Sequence, residues 1–171
     1  MFTTQAQVSA LRSDNAFLLK ALLMLTLLLT TFSAWAQRPV LTVEGPDQTV
    51  SLTLADLEAM PANEVSTETI WTDKRHTFSS VLFKDLMAKL NVETAGKKVT
   101  MIALNDYSIE VDVDTLIKHN AFIAYAMDGK KMRIRDKGPL WVLYPFSDQP
   151  EINIPPFQAH SIWQLKTIVL H

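Results

Sequence analysis

The chain has 171 residues, a formal net charge of −2, 48% hydrophobic residues and no cysteine. That length suits one domain with a single core. Near-neutral charge offers no general attraction for nucleic acid, and the missing cysteine excludes disulfides, thiolate zinc sites and thiol catalysis.

Residues 1–36 read as a secretory signal peptide. Arg12 and Lys20 precede the apolar run Ala21–Phe32, and Ala34-Trp35-Ala36 supplies an A-x-A cleavage site. The run is short of the roughly 20 residues that span a bilayer. The expectation is export to the periplasm, cleavage after Ala36 and no membrane span in the mature protein. Residues 37–171 then make one mature domain.

Val40–Val43 is a short β-prone run that stops at the turn pair Gly45-Pro46, and Gln48–Leu52 reads as a second strand. Thr53 to Asp56 resembles a capping box opening a helix that ends before Pro61. Val65–Thr72, rich in Thr, Ile and Trp, reads as a strand leading into the polar loop Asp73–His76. After Ser80, the residues Leu82, Phe83, Leu86, Met87 and Leu90 recur at helical spacing. Val99–Leu104 and Tyr107–Val113 read as a strand pair around Asn105-Asp106, and a short helix covers Asp114–His119. Phe122–Met127 meets Asp128-Gly129, a strong hairpin signal, and Lys131–Arg135 returns from it. Gly138-Pro139 breaks that run before the apolar Leu140–Phe146. Pro145, Pro150, Pro155 and Pro156 mark an irregular loop, and Ser161–Leu170 is the last strand. The pattern is α+β: one mostly-β domain with a few short helices.

The four histidines show no metal-binding spacing, and neither a nucleophile motif nor a glycine-rich phosphate loop is present. Four features remain. Trp71, beside Thr72 and near His76, is either a stacking platform or a core residue. Asn105, Asp106 and Tyr107 offer amide, carboxylate and ring to an aminopyrimidine-like edge, or simply make a turn. Lys131, Arg133, Arg135 and Lys137 share one face if their segment is a strand, facing an anion, an acidic partner or water. Lys137-Gly138-Pro139-Leu140-Trp141 holds its neighbours rigidly, as a ligand site or an ordinary turn requires.

In order, Phe78–Met87, Ala103–Tyr107, Ile123–Gly129, Lys137–Trp141 with Tyr144-Pro145, and Ile162-Trp163 resemble the oxidoreductase molybdopterin-binding domain family of sulfite-oxidase-type fold. The resemblance covers most of residues 65–171. It implies a domain that binds molybdopterin or a simpler pterin, with Trp71, Thr72, His76, Asn105, Asp106, Tyr107, Lys137, Gly138 and Trp141 as cofactor-binding candidates. Lys131, Arg133 and Arg135 are candidates for contact with an anion or partner. Catalytic members ligate molybdenum through a cysteine near the segment that is Ser66–Thr72 here, and this chain has none. The chain looks more like small exported members that bind a reduced pterin without metal and relay its presence to an inner-membrane diguanylate cyclase–phosphodiesterase. The alternative is a molybdopterin-dependent oxidoreductase or accessory subunit lacking the usual ligand.

Overall fold

A computed structural model describes residues 38–171; the expected signal peptide lies outside them. Strand β1 (Pro39–Glu44) alternates buried Leu41 and Val43 with residues facing out, and pairs antiparallel with β2 (Thr49–Thr53). Thr53 then caps α1 (Leu54–Glu58) through the reciprocal box read from the sequence. Its hydroxyl accepts from Asp56 N at 3.2 Å, while Asp56 Oδ2 accepts from Thr53 N at 2.8 Å.

The chain continues through β3 (Asn63–Thr67), β4 (His76–Leu82) and α2 (Phe83–Lys89). Next come β5 (Lys98–Ala103), β6 (Ser108–Asp112), α3 (Val113–Lys118) and β7 (Phe122–Met127). The two-residue strand β8 (Lys130–Lys131) and β9 (Trp141–Leu143) both pair with β7. Helix α4 (Pro155–His160) and β10 (Leu165–Leu170) complete the order.

Two sheets result. One runs β2-β1-β10-β5-β6, with β1 and β10 parallel; the other runs β3-β4-β7-β8, with β9 also on β7. Leu41, Val43, Met101 and Ile168 from the first join Phe78, Phe122, Ala124 and Trp141 from the second in one buried cluster. Their side chains alternate across each strand, so each sheet presents one apolar face. The class is α+β and mostly strand, as the sequence pattern implies.

Three elements differ from expectation. Ser80, which precedes the helical run in the sequence, is a buried strand residue whose hydroxyl donates to Asn63 O at 3.0 Å. Helix α2 starts at Phe83 instead, with no side-chain cap, and Phe83 N donates to Ala121 O at 2.9 Å. The proline-marked loop contains α4, because Pro155 and Pro156 occupy the first helical turn, where a missing N–H costs nothing.

The third correction concerns the basic run. Only Lys130 and Lys131 are strand; Met132 turns inward and Ile134–Asp136 winds into a 3-10 turn. Lys131, Arg133, Arg135 and Lys137 therefore do not line one face. Lys131 pairs with Glu58 at 3.0 Å and Arg133 with Asp136 at 2.6 Å, while Arg135 lies 3.9 Å from Asp136. The cause sits at Gly138, which is buried and takes Arg133 O as acceptor at 2.9 Å. A Cβ there would fall 2.1 Å from Met132 O, so the backbone folds back only because the residue is glycine.

Gly138→Ala is expected to cost about 3 kcal/mol in urea unfolding. Gly45→Ala, whose Cβ would meet Gln48 O at an ordinary 3.5 Å, serves as the near-neutral control. Equal midpoints for the two variants would refute the close approach.

Candidate functional site

The site is built around the loop between β3 and β4. The expected strand Val65–Thr72 is shorter than its composition implies, stopping at Thr67. Thr67 Oγ1, fully buried, accepts from Ser147 N at 3.0 Å, and Ser147 Oγ accepts from Glu68 N at 2.9 Å. The chain then closes a local turn. Thr69 N donates to Thr72 Oγ1 at 3.0 Å, Trp71 N donates to Thr69 Oγ1 at 3.2 Å, and Thr72 N donates to Thr69 O at 3.2 Å. Hydroxyls that satisfy backbone groups this closely outcompete a sheet ladder. Thr72 is thus a residue that holds the turn, and Trp71 is what the turn presents.

Trp71 is half-buried and packs edge-on against two other indoles. Its ring centroid is 6.0 Å from that of Trp141 and 5.7 Å from that of Trp163. Trp141 is 1% exposed, touches Phe78 at 5.8 Å between centroids, and donates its Nε1–H to Ser161 O at 3.2 Å. It stands behind the site as support, leaving Trp71 and the half-buried Trp163 in front. Lys137 lies over this cluster, its Nζ 5.3 Å from the Trp141 ring centre and 5.9 Å from that of Trp163, a cation–π arrangement. Its φ of 71° is held by Gln164 N, which donates to Lys137 O at 3.0 Å.

In front of the indoles lies a cavity of about 260 Å³, lined by Trp71, Asn105, Tyr107, Gln158, Ser161 and Trp163 among others. Asn105 and Tyr107 come from the β5–β6 turn, where Asn105 Oδ1 accepts from Tyr107 N at 3.2 Å. Tyr107 is 48% exposed, so its ring is available to a ligand. No residue lining the cavity carries a charge. Asp106, in the left-handed region at φ 64°, lies outside the lining and pairs with Lys166 at 2.6 Å.

His76 lies at the start of β4 and is likewise outside this lining. Its Nδ1 is 2.7 Å from Asp128 Oδ2 and its Nε2 is 3.3 Å from Asp73 Oδ1. Asp128 Oδ1 also accepts from Thr77 N at 3.0 Å, so this group ties the Trp71 loop to the β7–β8 hairpin. The Asp128 carboxylate holds the His76 pKa above its ordinary value, opposed by partial burial and helped by Asp73.

Of the nine cofactor-binding candidates, Trp71, Asn105 and Tyr107 line one cavity. Thr72 holds the turn that presents Trp71, Lys137 and Trp141 pack on the indoles, and Gly138, Asp106 and His76 are engaged elsewhere. Ala103, Gln158, Ala159, Ser161, Ile162 and Trp163 complete the lining and are not among the nine. Of these, Ala103 and the pair Ile162-Trp163 left a signal, as parts of recognisable motifs. A second hollow of about 350 Å³ beyond the loop is lined by Glu68, Thr69, Arg75, Ser147 and Asn153 among others. Its one aromatic, Phe146, is 2% exposed, so it offers no ring for stacking.

A molybdenum cofactor of the usual kind does not fit these donors. The segment Ser66–Thr72 supplies hydroxyls and the Glu68 carboxylate where a soft thiolate is needed. Among the described residues, no three His, Asp or Glu side chains converge as metal ligands.

No protein-family model matches the chain, and no curated protein matches it significantly in sequence. Among solved structures, the sulfane dehydrogenase SoxCD from Paracoccus pantotrophus is similar, with a TM-score of 0.58 at 12% identity. The match covers 77% of this chain and 37% of that one, so the chain spans well under half of its neighbour's length. At that identity the likeness is one of fold.

Thr69→Val is expected to cost about 1–2 kcal/mol and to speed hydrogen exchange at the Trp71 amide. Unchanged exchange would mean the turn is held otherwise. The His76 pair gives a pH signature. A raised histidine pKa contributes stability in full below the ordinary value and loses it as pH rises through the folded one. The lowered Asp73 and Asp128 values contribute above the ordinary carboxylate value and fail as pH falls. The contribution is therefore largest between about pH 4 and 6.5. His76→Gln should flatten the thermal midpoint across and above that window, and an unaltered profile would rule out this linkage.

Proposed function

We propose that this is a pterin-binding protein of sulfite-oxidase-type fold that acts as a binder and not as an enzyme. The observation that carries the reading is the uncharged, aromatic-walled cavity in a chain without any thiolate. A pterin is flat, and Trp71, Tyr107 and Trp163 supply rings while Asn105 and Gln158 supply amides. Binding by shape, stacking and hydrogen bonds needs no metal. The fold likeness to a sulfane dehydrogenase and the ordered motifs from Phe78 to Trp163 support the family part of the proposal.

In this reading the protein is exported to the periplasm, binds a reduced pterin and presents that state to the periplasmic part of a membrane diguanylate cyclase–phosphodiesterase. The leader-like residues 1–36 and the exposed Arg133 and Arg135 support those two steps. A molybdopterin-dependent oxidoreductase or accessory subunit is the second reading, favoured by the redox activity named for the structural neighbour.

Titrating the purified protein with tetrahydropterin should quench tryptophan fluorescence saturably. Trp71→Ala should weaken binding by roughly tenfold or more, as the loss of an aromatic anchor implies, with circular dichroism unchanged. No saturable binding by the parent protein would end the proposal. Stoichiometric molybdenum in elemental analysis would transfer it to the second reading.

A further inference from the structure

The cavity's polar groups are fixed in direction by the main chain. Asn105 Oδ1 is occupied by Tyr107 N at 3.2 Å. A backbone donor accepts no other orientation of that amide, so the oxygen is committed and the Nδ2 hydrogens are left for a ligand. Gln158 is committed in the opposite sense. Its Nε2 donates to Asn153 O at 3.4 Å and to Asn153 Oδ1 at 3.1 Å. A main-chain carbonyl there requires nitrogen, which leaves Oε1 for a ligand. Ser161, also in the lining, gives its hydroxyl hydrogen to Phe157 O at 3.1 Å and is left as an acceptor.

The cavity therefore offers a donor from Asn105 and acceptors from Gln158 and Ser161, and no formal charge stands in the lining. The nearest charge on the β5–β6 turn, Asp106, is neutralised by Lys166. A carboxylate is the group that would read two adjacent N–H donors on one edge, and the cavity has none. A neutral donor–acceptor pair reads a different edge, one carrying an N–H next to a C=O.

We propose that the site selects an uncharged flat heterocycle through a lactam edge. Asn105 Nδ2 donates to the ring carbonyl, Gln158 Oε1 accepts the adjacent ring N–H, and the Trp71, Tyr107 and Trp163 rings wall the cavity around it. A volume of about 260 Å³ falls just under the roughly 300 Å³ at which drug-sized pockets begin. It suits a single bicyclic ring and leaves a phosphate or nucleotide tail outside. The proposal rests on the pterin reading and narrows it from a molybdopterin-sized ligand to the ring alone.

The test is calorimetric titration of the full chain with three probes: pterin, 6-methylpterin and 3-methylpterin. The first two keep the lactam N–H, whereas the third carries the same added methyl on the nitrogen that must donate. Pterin and 6-methylpterin should bind alike, and 3-methylpterin should bind roughly tenfold more weakly or worse, the cost of a lost and unsatisfied hydrogen bond. Asn105→Asp keeps an oxygen for Tyr107 N but removes the donor, and should weaken pterin by a similar factor. Equal binding of all three probes would overturn the lactam assignment and leave the pterin reading intact. Equal weakening by either methyl would assign the selectivity to space alone, and would also overturn it. Failure of all three to bind would remove the pterin reading and this inference together.

Discussion

The hydrogen bond from the Trp141 indole to Ser161 O is the contact on which the site depends. An indole N–H inside a core must find an acceptor, because an unpaired one costs several times what a made bond gains. Trp141 sits on β9, in the second sheet, while Ser161 opens the segment leading into β10 of the first. The bond therefore clamps one sheet to the other, reinforced by Val142 N on Ile162 O at 2.9 Å and Leu165 N on Leu140 O at 3.0 Å. With that seam closed, Trp163 is delivered beside Trp71 and Ser161 enters the cavity wall. The rings that line the cavity thus rest on the core, and their placement is set by packing.

Features specified by neighbouring residues were legible in the sequence. Thr53 and Asp56 lie three residues apart and cap each other, so their pattern is complete in a window of four. Asp128-Gly129 is similar: both residues have positive φ, at 49° and 71°, as the expected turn demands. Asn105 and Tyr107 were visible for the same reason, since an Asn that bonds the amide two residues on makes its own turn. Ser80 shows the limit. It stands just before an apolar helical run, and only the arrival of Asn63 from another strand makes it a buried, bonded hydroxyl. Gln158 and Ser161 were hidden likewise, because Gln158 and the Phe157 carbonyl that Ser161 meets lie on a helix that two prolines disguised as a loop.

The charged residues give a further lesson about period and partner. Four cations spaced at every second residue look like a designed stripe, yet a stripe exists only if the backbone stays extended. One glycine without a side chain folds that segment back, and the charges disperse to Glu58, Asp136 and the indole faces. The cavity itself is left to neutral dipoles, whose direction is set by main-chain bonds. A site of this kind is selective by geometry and insensitive to ionic strength, unlike the salt-screened contacts on the surface around it.

The parallel pairing of β1 with β10 has a kinetic meaning. Thr42 lies opposite Thr167 and Val43 opposite Ile168, so strands from nearly opposite ends of the described chain are neighbours inside one sheet. Until β10 arrives, β1 and β2 form an isolated hairpin, and β5 and β6 another, neither with a sheet to join. Contacts of such high sequence separation form late and slowly. A growing chain with this topology cannot complete its first sheet before its last strand has emerged. Slow closure keeps such a chain threadable, which is the condition an unfolded-state translocation route demands.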